Sequence, residues 1–191
     1  MSIVLVGSTS GSCTLQELAV AGTTVLTLPT TSGTLITTAS SGQSIPSAAL
    51  PTGSVLQVVQ GTSTGSTTTS SATPVTTGFS VSITPKFASS KILVIANPSW
   101  SVNSAGFANG TAVMHIYRGG SSRYQMYCRT YTYVTSNGVY QNNAQALIYL
   151  DSPATTSSTA YTLFFELVNG DGTSFNPDGG FSSMTLMEIA A

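Results

Sequence analysis

The N-terminal part of the chain carries almost no charge. No Asp, Glu, Lys or Arg occurs between Glu17 and Lys86, whereas Ser, Thr and Gly alternate there with Val, Leu and Ile. Disordered segments usually stay soluble through high net charge and low hydrophobicity, and this stretch has neither. Its β-branched runs, such as 20–28 and 35–38, favour strands. Because uncharged strands with exposed edges aggregate unless they are paired, the pattern predicts burial against other copies of the chain.

Composition argues against several classes of partner. Only 6% of the 191 residues are charged, against about 25% in ordinary soluble proteins, and Ser and Thr supply the polar surface instead. With a net charge of −1 and scattered cationic residues, we expect no nucleic-acid partner. The apolar run 1–6 is too short to span a bilayer and lacks a basic flank, so we expect no membrane insertion. Cys13 and Cys128 lack the spacing of a disulfide framework or metal site, which favours reduced thiols.

The distribution of turn residues and apolar residues predicts an all-β chain in three parts. Residues 1–38 are typical of an extended β arm used for attachment, and residues 39–52 of a linker or collar. Residues 53–191 predict an antiparallel β-sandwich of jelly-roll type, because strand patterns recur there at regular spacing. These patterns cover 54–61, 74–84, 91–103, 111–118, 123–135, 140–150, 159–169 and 182–190, with a Ser/Thr-rich flexible loop expected at 62–73.

Asn137-Gly138 is the strongest hairpin signal in the chain. A two-residue loop there would pair strand 123–135 with strand 140–150 and place Cys128 opposite Leu147. One face of this hairpin is then the expected core face, carrying Tyr124, Met126, Cys128, Val134, Leu147 and Tyr149. The other face carries Tyr127, Arg129, Tyr131 and Tyr133, with Asn142 across from them.

The stripe of Tyr127, Arg129, Tyr131, Tyr133 and Asn142 is the candidate binding surface of the sequence. Aromatic rings offer flat apolar area to sugar faces, while Arg and Asn side chains hydrogen-bond sugar hydroxyls, so the stripe suits glycan contact. Tyr and Arg are also enriched in the cores of protein interfaces, so it suits a subunit contact as well.

Two groups of residues were considered for catalysis. His115 is the only histidine, and we expect it to be a packed structural residue between Val113 and Tyr117 rather than a triad member. A glycosidase would need two carboxylates, and Glu166 and Glu188 lie in apolar strands, where pairing with Arg118, Arg123 or a Lys is the simpler expectation. The Asp- and Asn-containing loop 169–180 lacks the spacing of an EF-hand. We therefore expect no catalytic, cofactor-binding or metal-binding residues.

Several segments resemble virion structural proteins of tailed bacteriophages, especially those of marine and cyanobacterial phages. The sequence AGTTVLTLP at 21–29, followed by SGTLIT at 32–37, resembles a recurring phage-fibre module. GSVLQVV at 53–59, SITP at 82–85, SSKILV at 89–94 and MEI at 187–189 are similar to the C-terminal β-domains of tail fibres. The resemblance implies a homotrimer, assembled in the host cytoplasm into a virion, with an N-terminal arm that attaches to other virion proteins.

The resemblance leaves three functions open. The first is a short trimeric tail fibre that presents its β-domain to host-surface glycans. The second is a capsid-decorating protein or head fibre, which the shortness of the chain and the lack of an evident anchoring domain before the module favour. The third, from another class, is a tailspike-like enzyme that degrades polysaccharide.

Overall fold

The computed structural model describes residues 3–6, 12–15, 50–104, 109–130 and 139–191. These residues form strands, apart from one short 3₁₀ helix at Pro177–Gly179. The strands are β1 (Ile3–Val6), β2 (Ser12–Leu15), β3 (Val55–Ser63), β4 (Thr67–Thr69), β5 (Val75–Ile83), β6 (Lys91–Asn97), β7 (Ser99–Ser104), β8 (Gly110–Arg118), β9 (Ser121–Thr130), β10 (Val139–Ala144), β11 (Leu147–Asp151), β12 (Thr159–Asn169), β13 (Gly172–Phe175) and β14 (Ser182–Ile189).

The chain divides into two compact units, Met1–Ser44 and Ile45–Ala191. In the first unit β1 and β2 form an antiparallel pair in which Val6 lies opposite Ser12. Most of the predicted arm (1–38) and linker (39–52) lies outside the described residues. All other strands belong to the second unit.

The second unit contains two facing layers of antiparallel strands. One layer is a four-stranded sheet in the order β5-β12-β8-β9, here called the continuous sheet. The other layer has two four-stranded parts, β11-β6-β14-β3 and β10-β7-β13-β4. The strands at equivalent positions in the two parts are consecutive in the chain: β11 and β10, β6 and β7, β14 and β13, and β3 and β4. The two parts are therefore halves of one set of four long strands, here called the split sheet.

When each pair of half-strands is counted as one, the second unit has the eight long strands that the sequence predicts. Successive long strands mostly alternate between the two layers, and β8–β9 is the one hairpin of consecutive long strands that pair within the described residues. This is the connectivity of a jelly roll. The predicted all-β class and antiparallel sandwich are confirmed.

Three details of the strand prediction are wrong. Strand 91–103 is divided at Pro98, because proline has no N–H to donate to the ladder, and strand 140–150 is divided at 145–146. The predicted loop 62–73 contains β4, whose consecutive threonines have high strand propensity and pair with β13.

The predicted pairing of strands around Asn137-Gly138 is also wrong. Leu147 lies opposite Ala96 in β6, and Cys128 lies opposite Ala112 in β8, so the two strands belong to different layers. The turn residues themselves lie outside the described residues. A favourable turn sequence contributes little compared with the burial gained when the apolar β11 pairs with the equally apolar β6.

The core lies between the two layers and follows the alternation of each strand. Tyr161, Leu163, Phe165 and Leu167 of β12 are buried, and Trp100 is fully buried in β7. The predicted core face of β9 is confirmed, since Cys128 is buried in the core and Tyr124 and Met126 pack against it. The layers approach so closely at Gly61 that a Cβ atom there would lie 2.5 Å from Val81 Cγ2.

Two buried carboxylates flank Ile92 on the inner face of the split sheet. Asp151 and Glu188 lie opposite Ile92 on its two neighbouring strands. Asp151 accepts a hydrogen bond from Tyr161 Oη at 2.8 Å and pairs with Arg118, whose Nε lies 2.6 Å from Asp151 Oδ2. Burial and this hydrogen bond raise the pKa of Tyr161 far above its usual range. The Asp151 group therefore fastens β11 to two strands of the opposite layer.

Glu188 connects β14 to β3 and to the turn after β5. Its Oε1 accepts the backbone N–H of Lys86 at 2.7 Å and that of Phe87 at 3.3 Å, and its Oε2 accepts Gln57 Nε2 at 2.6 Å. Burial by itself would raise the pKa of Glu188, but the hydrogen bonds that it accepts outweigh burial and hold the pKa below its usual value. The carboxylate is a structural anion that caps the turn after β5.

Candidate functional site

The structure places Tyr127 and Arg129 on the outer face of the continuous sheet, on its edge strand β9. The guanidinium carbon of Arg129 lies over the Tyr127 ring, 5.8 Å from the ring centre. Tyr127 is 50% exposed, and Arg129 and Gln125 are also exposed. The exposed side chains of Gln125, Tyr127 and Arg129 therefore lie next to each other along β9, with the aromatic ring between the amide and the cation. The sequence predicts this shared face for Tyr127 and Arg129.

More aromatic and polar side chains continue this surface towards the middle of the sheet. Strand pairing places Tyr127, Val113 and Glu166 in one row across β9, β8 and β12. The rings of Tyr117 and Phe164 stack nearby, with centroids 4.1 Å apart. We call this surface the aromatic platform; it comprises Tyr117, Gln125, Tyr127, Arg129, Phe164 and Glu166.

His115 lies beneath the platform and is fully partnered. Its Nε2 is 3.3 Å from Glu166 Oε1 and its Nδ1 is 3.3 Å from Ser122 Oγ. Because a carboxylate only accepts hydrogen bonds, Nε2 donates to Glu166 and Nδ1 accepts from Ser122. Burial lowers the pKa of His115, and the charge and hydrogen bond of Glu166 oppose that effect. The expected packing of His115 is confirmed, because the residue is buried.

The other members of the predicted stripe are not brought to the platform. Tyr131 and Tyr133 lie outside the described residues. Asn142 is exposed, but it lies opposite Ser101 in the split sheet, so its expected position across from the Tyr and Arg side chains of the stripe is wrong. Asn142 instead belongs to a polar row on the outer face of the split sheet, which continues through Ser101, Ser174 and Thr68.

The other half of the split sheet has an apolar outer face that the sequence analysis missed. Strand pairing places Leu150, Leu93, Met187 and Val58 in one row across all four strands. Ile148 and Ile95 lie side by side in the next row, and Ile189 and Val55 lie beyond the first row on its other side. We call this surface the apolar face; it comprises Val55, Val58, Leu93, Ile95, Ile148, Leu150, Met187 and Ile189.

A signal for the apolar face is present in the sequence. The segments KILVIAN at Lys91–Asn97 and LIYL at 147–150 are apolar at successive positions and not at alternate ones. Such runs are typical of strands that are covered on both sides.

The carboxylates considered for glycoside hydrolysis do not face a common cleft. Glu166 lies on the outer face of the continuous sheet, whereas Glu188 is buried on the inner face of the split sheet. Neither contacts an Arg or Lys side chain among the described residues, so the expected pairing with cations is wrong; His115, Gln57 and backbone amides are the partners. Two carboxylates in these positions cannot flank one sugar linkage.

Residues 61–65 match the G-x-S-x-G pattern of a nucleophile elbow, but not its structure. Ser63 ends β3, and the chain continues into β4, whereas an elbow requires a strand followed by a helix. The imidazole of His115 is engaged with Ser122 and Glu166. The pattern therefore marks a strand end in a Gly- and Thr-rich segment.

Other potential sites are limited within the described residues. No cluster of three or more His, Cys, Asp or Glu side chains is placed to hold a metal ion there. A cavity of about 230 Å³ lies where the chain enters β3 and leaves β14, with Leu50, Phe87, Ser90 and Ala190 in its lining. None of the side chains lining this cavity is charged. In the described part of the chain, no helix has the length and apolar character needed to cross a bilayer.

No protein-family model and no curated protein matches this sequence. Solved structures of the capsid protein VP2 of infectious bursal disease virus resemble the fold weakly. The VP2 subviral particle matches at 16% identity with a TM-score of 0.37, over 70% of this chain and 32% of that chain. The Gt and Gx strain structures each match at 14% identity, with TM-scores of 0.33 and 0.32, over 72% of this chain and 39% of those chains. The chain thus spans well under half the length of these structures.

Proposed function

We propose that the chain is a non-enzymatic structural protein of a tailed-bacteriophage virion, a short homotrimeric appendage whose jelly roll attaches to host-surface glycans. It assembles in the host cytoplasm and joins other virion proteins through its N-terminal arm. Nucleic acid and membrane are not among its partners. The proposal starts from the resemblance of segments 21–37 and 53–59 to phage fibres.

The observation that carries the proposal is the contrast between the outer faces of the two layers. The aromatic platform offers a half-exposed Tyr127 ring beside Arg129 and Gln125, which is the combination that binds a sugar through its flat face and its hydroxyls. The apolar face offers neither hydrogen-bonding groups nor carboxylates. Of the two, the platform is therefore the better match for a polar ligand, and the apolar face is the better match for a subunit interface.

The jelly roll supports this assignment only by analogy of fold. Such sandwiches occur in viral capsid domains and in lectins, where loops and sheet faces carry the binding residues. Because one fold serves many functions, the argument rests on the platform residues and the sequence resemblance. The low charge of the whole chain is consistent with recognition of neutral sugar surfaces by stacking and hydrogen bonds.

The test measures binding of the full-length protein to immobilised bacterial lipopolysaccharides and capsular polysaccharides by surface plasmon resonance. We expect Tyr127→Ala and Arg129→Gln each to weaken binding by about tenfold, which corresponds to about 1.4 kcal/mol. Phe181→Ala is the matched control, because Phe181 is an aromatic residue that is 60% exposed and lies outside the platform.

Three results would contradict the proposal. Equal weakening by Phe181→Ala would show that the platform has no special role. Absence of polysaccharide binding together with binding to isolated capsids would favour the capsid-decorating function. Release of reducing ends from the polysaccharides, lost in Glu166→Gln, would favour the enzyme.

A further inference from the structure

We infer that the apolar face is the surface through which identical copies of the chain associate. The inference rests on the proposed function, because it assumes that identical chains assemble. It adds which face of each chain forms the contact. It also separates this face from the aromatic platform, which lies on the opposite layer of the sandwich.

The first support is the amount and continuity of the exposed apolar surface. Val55, Val58, Ile148 and Leu150 are each about half exposed, with Val58 at 55%, and their four neighbours on the face are partly exposed. Together they present roughly 500 Å² of aliphatic surface, near the upper end for the largest patch on a monomeric protein. Four strands contribute to it without interruption by a polar row.

The second support is the agreement between this surface and the size and composition of a stable interface. A specific interface buries about 800 Å² on each partner, with an apolar centre and a polar rim. The rows next to the apolar face supply such a rim. Thr185 lies beside Ile95, with Gln60 on the far side of Thr185, and the row beyond consists of Asn97, Ser183 and Thr62. The face and its rim are large enough for one interface of standard size.

The third support identifies the occupant as a second copy. Among the described residues of this outer face Lys91 is the one with a charged side chain, and it lies at the margin of the face, in the row of Ile189 and Val55. A face without carboxylates and with a single marginal cation meets its own copy with little like-charge repulsion, whereas it offers nothing to a charged partner.

The test is the native mass of the full-length protein by light scattering, measured across a dilution series. We expect an oligomer for the wild type and the mass of one chain for Val58→Lys combined with Ile148→Lys. The matched control is Val168→Lys, because Val168 is also a strand valine with 55% exposure but lies on the continuous sheet. It should keep the oligomeric mass.

A second, milder double variant tests whether the lysine variants lose the oligomer only because they fail to fold. Val58→Thr with Ile148→Thr keeps β-branching and adds no charge, and it should raise the dissociation constant of the oligomer at least tenfold while the circular dichroism spectrum stays native. An unchanged oligomer in both double variants, or a monomeric wild type at all concentrations, would overturn the inference. Polysaccharide binding by Tyr127 is a separate measurement. An oligomer insensitive to these changes that still binds polysaccharide would reject the assigned face and leave the proposed function standing.

Discussion

Tyr161 Oη donates a 2.8 Å hydrogen bond to Asp151 Oδ2, the oxygen that also pairs with Arg118 Nε at 2.6 Å. Tyr161 and Arg118 belong to the continuous sheet and Asp151 belongs to the split sheet. One carboxylate therefore joins the two layers through a neutral donor and a cationic donor. Both donors lose a partner if the carboxylate changes.

Substitutions in this group should destabilise the fold to different degrees. We expect Tyr161→Phe to lower the free energy of unfolding by about 1.5–3 kcal/mol, the range for a hydrogen bond to a charged group. Asp151→Asn should cost about 3–5 kcal/mol, because the largely buried Arg118 then lacks its anion. Urea denaturation at fixed protein concentration measures both. Tyr124→Phe is the control, and a smaller loss for Asp151→Asn than for Tyr161→Phe would contradict the expected order.

Glu188 should make the protein sensitive to acid. Its pKa is lower in the folded chain than in the unfolded chain, so its contribution to stability is present above about pH 4.3 and is lost as the pH falls through the folded value. Glu188→Gln should lower stability at neutral pH by about 1–3 kcal/mol and flatten the loss between about pH 2 and 5. Melting temperatures across that range provide the measurement.

The control for the acid prediction is Asp178→Asn, which changes an exposed carboxylate in the turn after β13. It should leave the acid slope almost unchanged. A slope in Glu188→Gln as steep as in the wild type would show that other carboxylates cause the acid loss.

His115 should add a second, milder dependence on pH. Burial lowers its folded pKa below the unfolded value of about 6.5, so the unfolded chain binds the proton more readily. Stability should therefore decrease as the pH falls below about 6.5 and level off below the folded pKa. Melting temperatures between about pH 4.5 and 8 should show this slope in the wild type and not in His115→Gln.

Glu166 provides the internal check, because its charge and hydrogen bond raise the pKa of His115 against the effect of burial. Glu166→Gln should lower that pKa further, so the decrease should extend to lower pH and become larger. A smaller slope in Glu166→Gln would contradict the assigned role of this pair.

Gly61 should tolerate no side chain. An alanine Cβ there would lie 2.5 Å from Val81 Cγ2, so Gly61→Ala should destabilise the fold by about 1–3 kcal/mol through overpacking. Gly65→Ala is the matched control, because its nearest contact is Ser63 Oγ at 3.7 Å, and it should change stability by less than about 0.5 kcal/mol. Combining Gly61→Ala with Val81→Ala should recover part of the loss; no recovery would place the clash elsewhere.

The strand pattern alone predicted the antiparallel sandwich, because burial in a sandwich follows alternation. The core face of β9 was assigned correctly for this reason. Pairing was harder to predict. The turn at Asn137-Gly138 is a local preference, whereas Leu147 pairs with Ala96 about fifty residues away because both strands are apolar. Alternation shows which side of a strand is buried, but not which strand lies beside it.

For the candidate surfaces, too, features within one strand were predictable and contacts between strands were not. Tyr127 and Arg129 share a face because they are two residues apart in one strand, so their exposure on one surface was predictable. Asn142 was misplaced because its neighbours depended on the incorrect pairing. The apolar face joins four strands that are distant in sequence, and only the register of the split sheet brings Leu150, Leu93, Met187 and Val58 into one row.

The break at Pro98 has a consequence for how such a protein can change over generations. On one side of the break the outer surface is aliphatic, and on the other side Asn142, Ser174 and Thr68 form a polar row that also contains the buried Ser101. The same four strands carry both surfaces, but different residues make them. Substitutions in the polar half can vary what the molecule meets outside, while the aliphatic half, and any assembly inherited through it, stays the same.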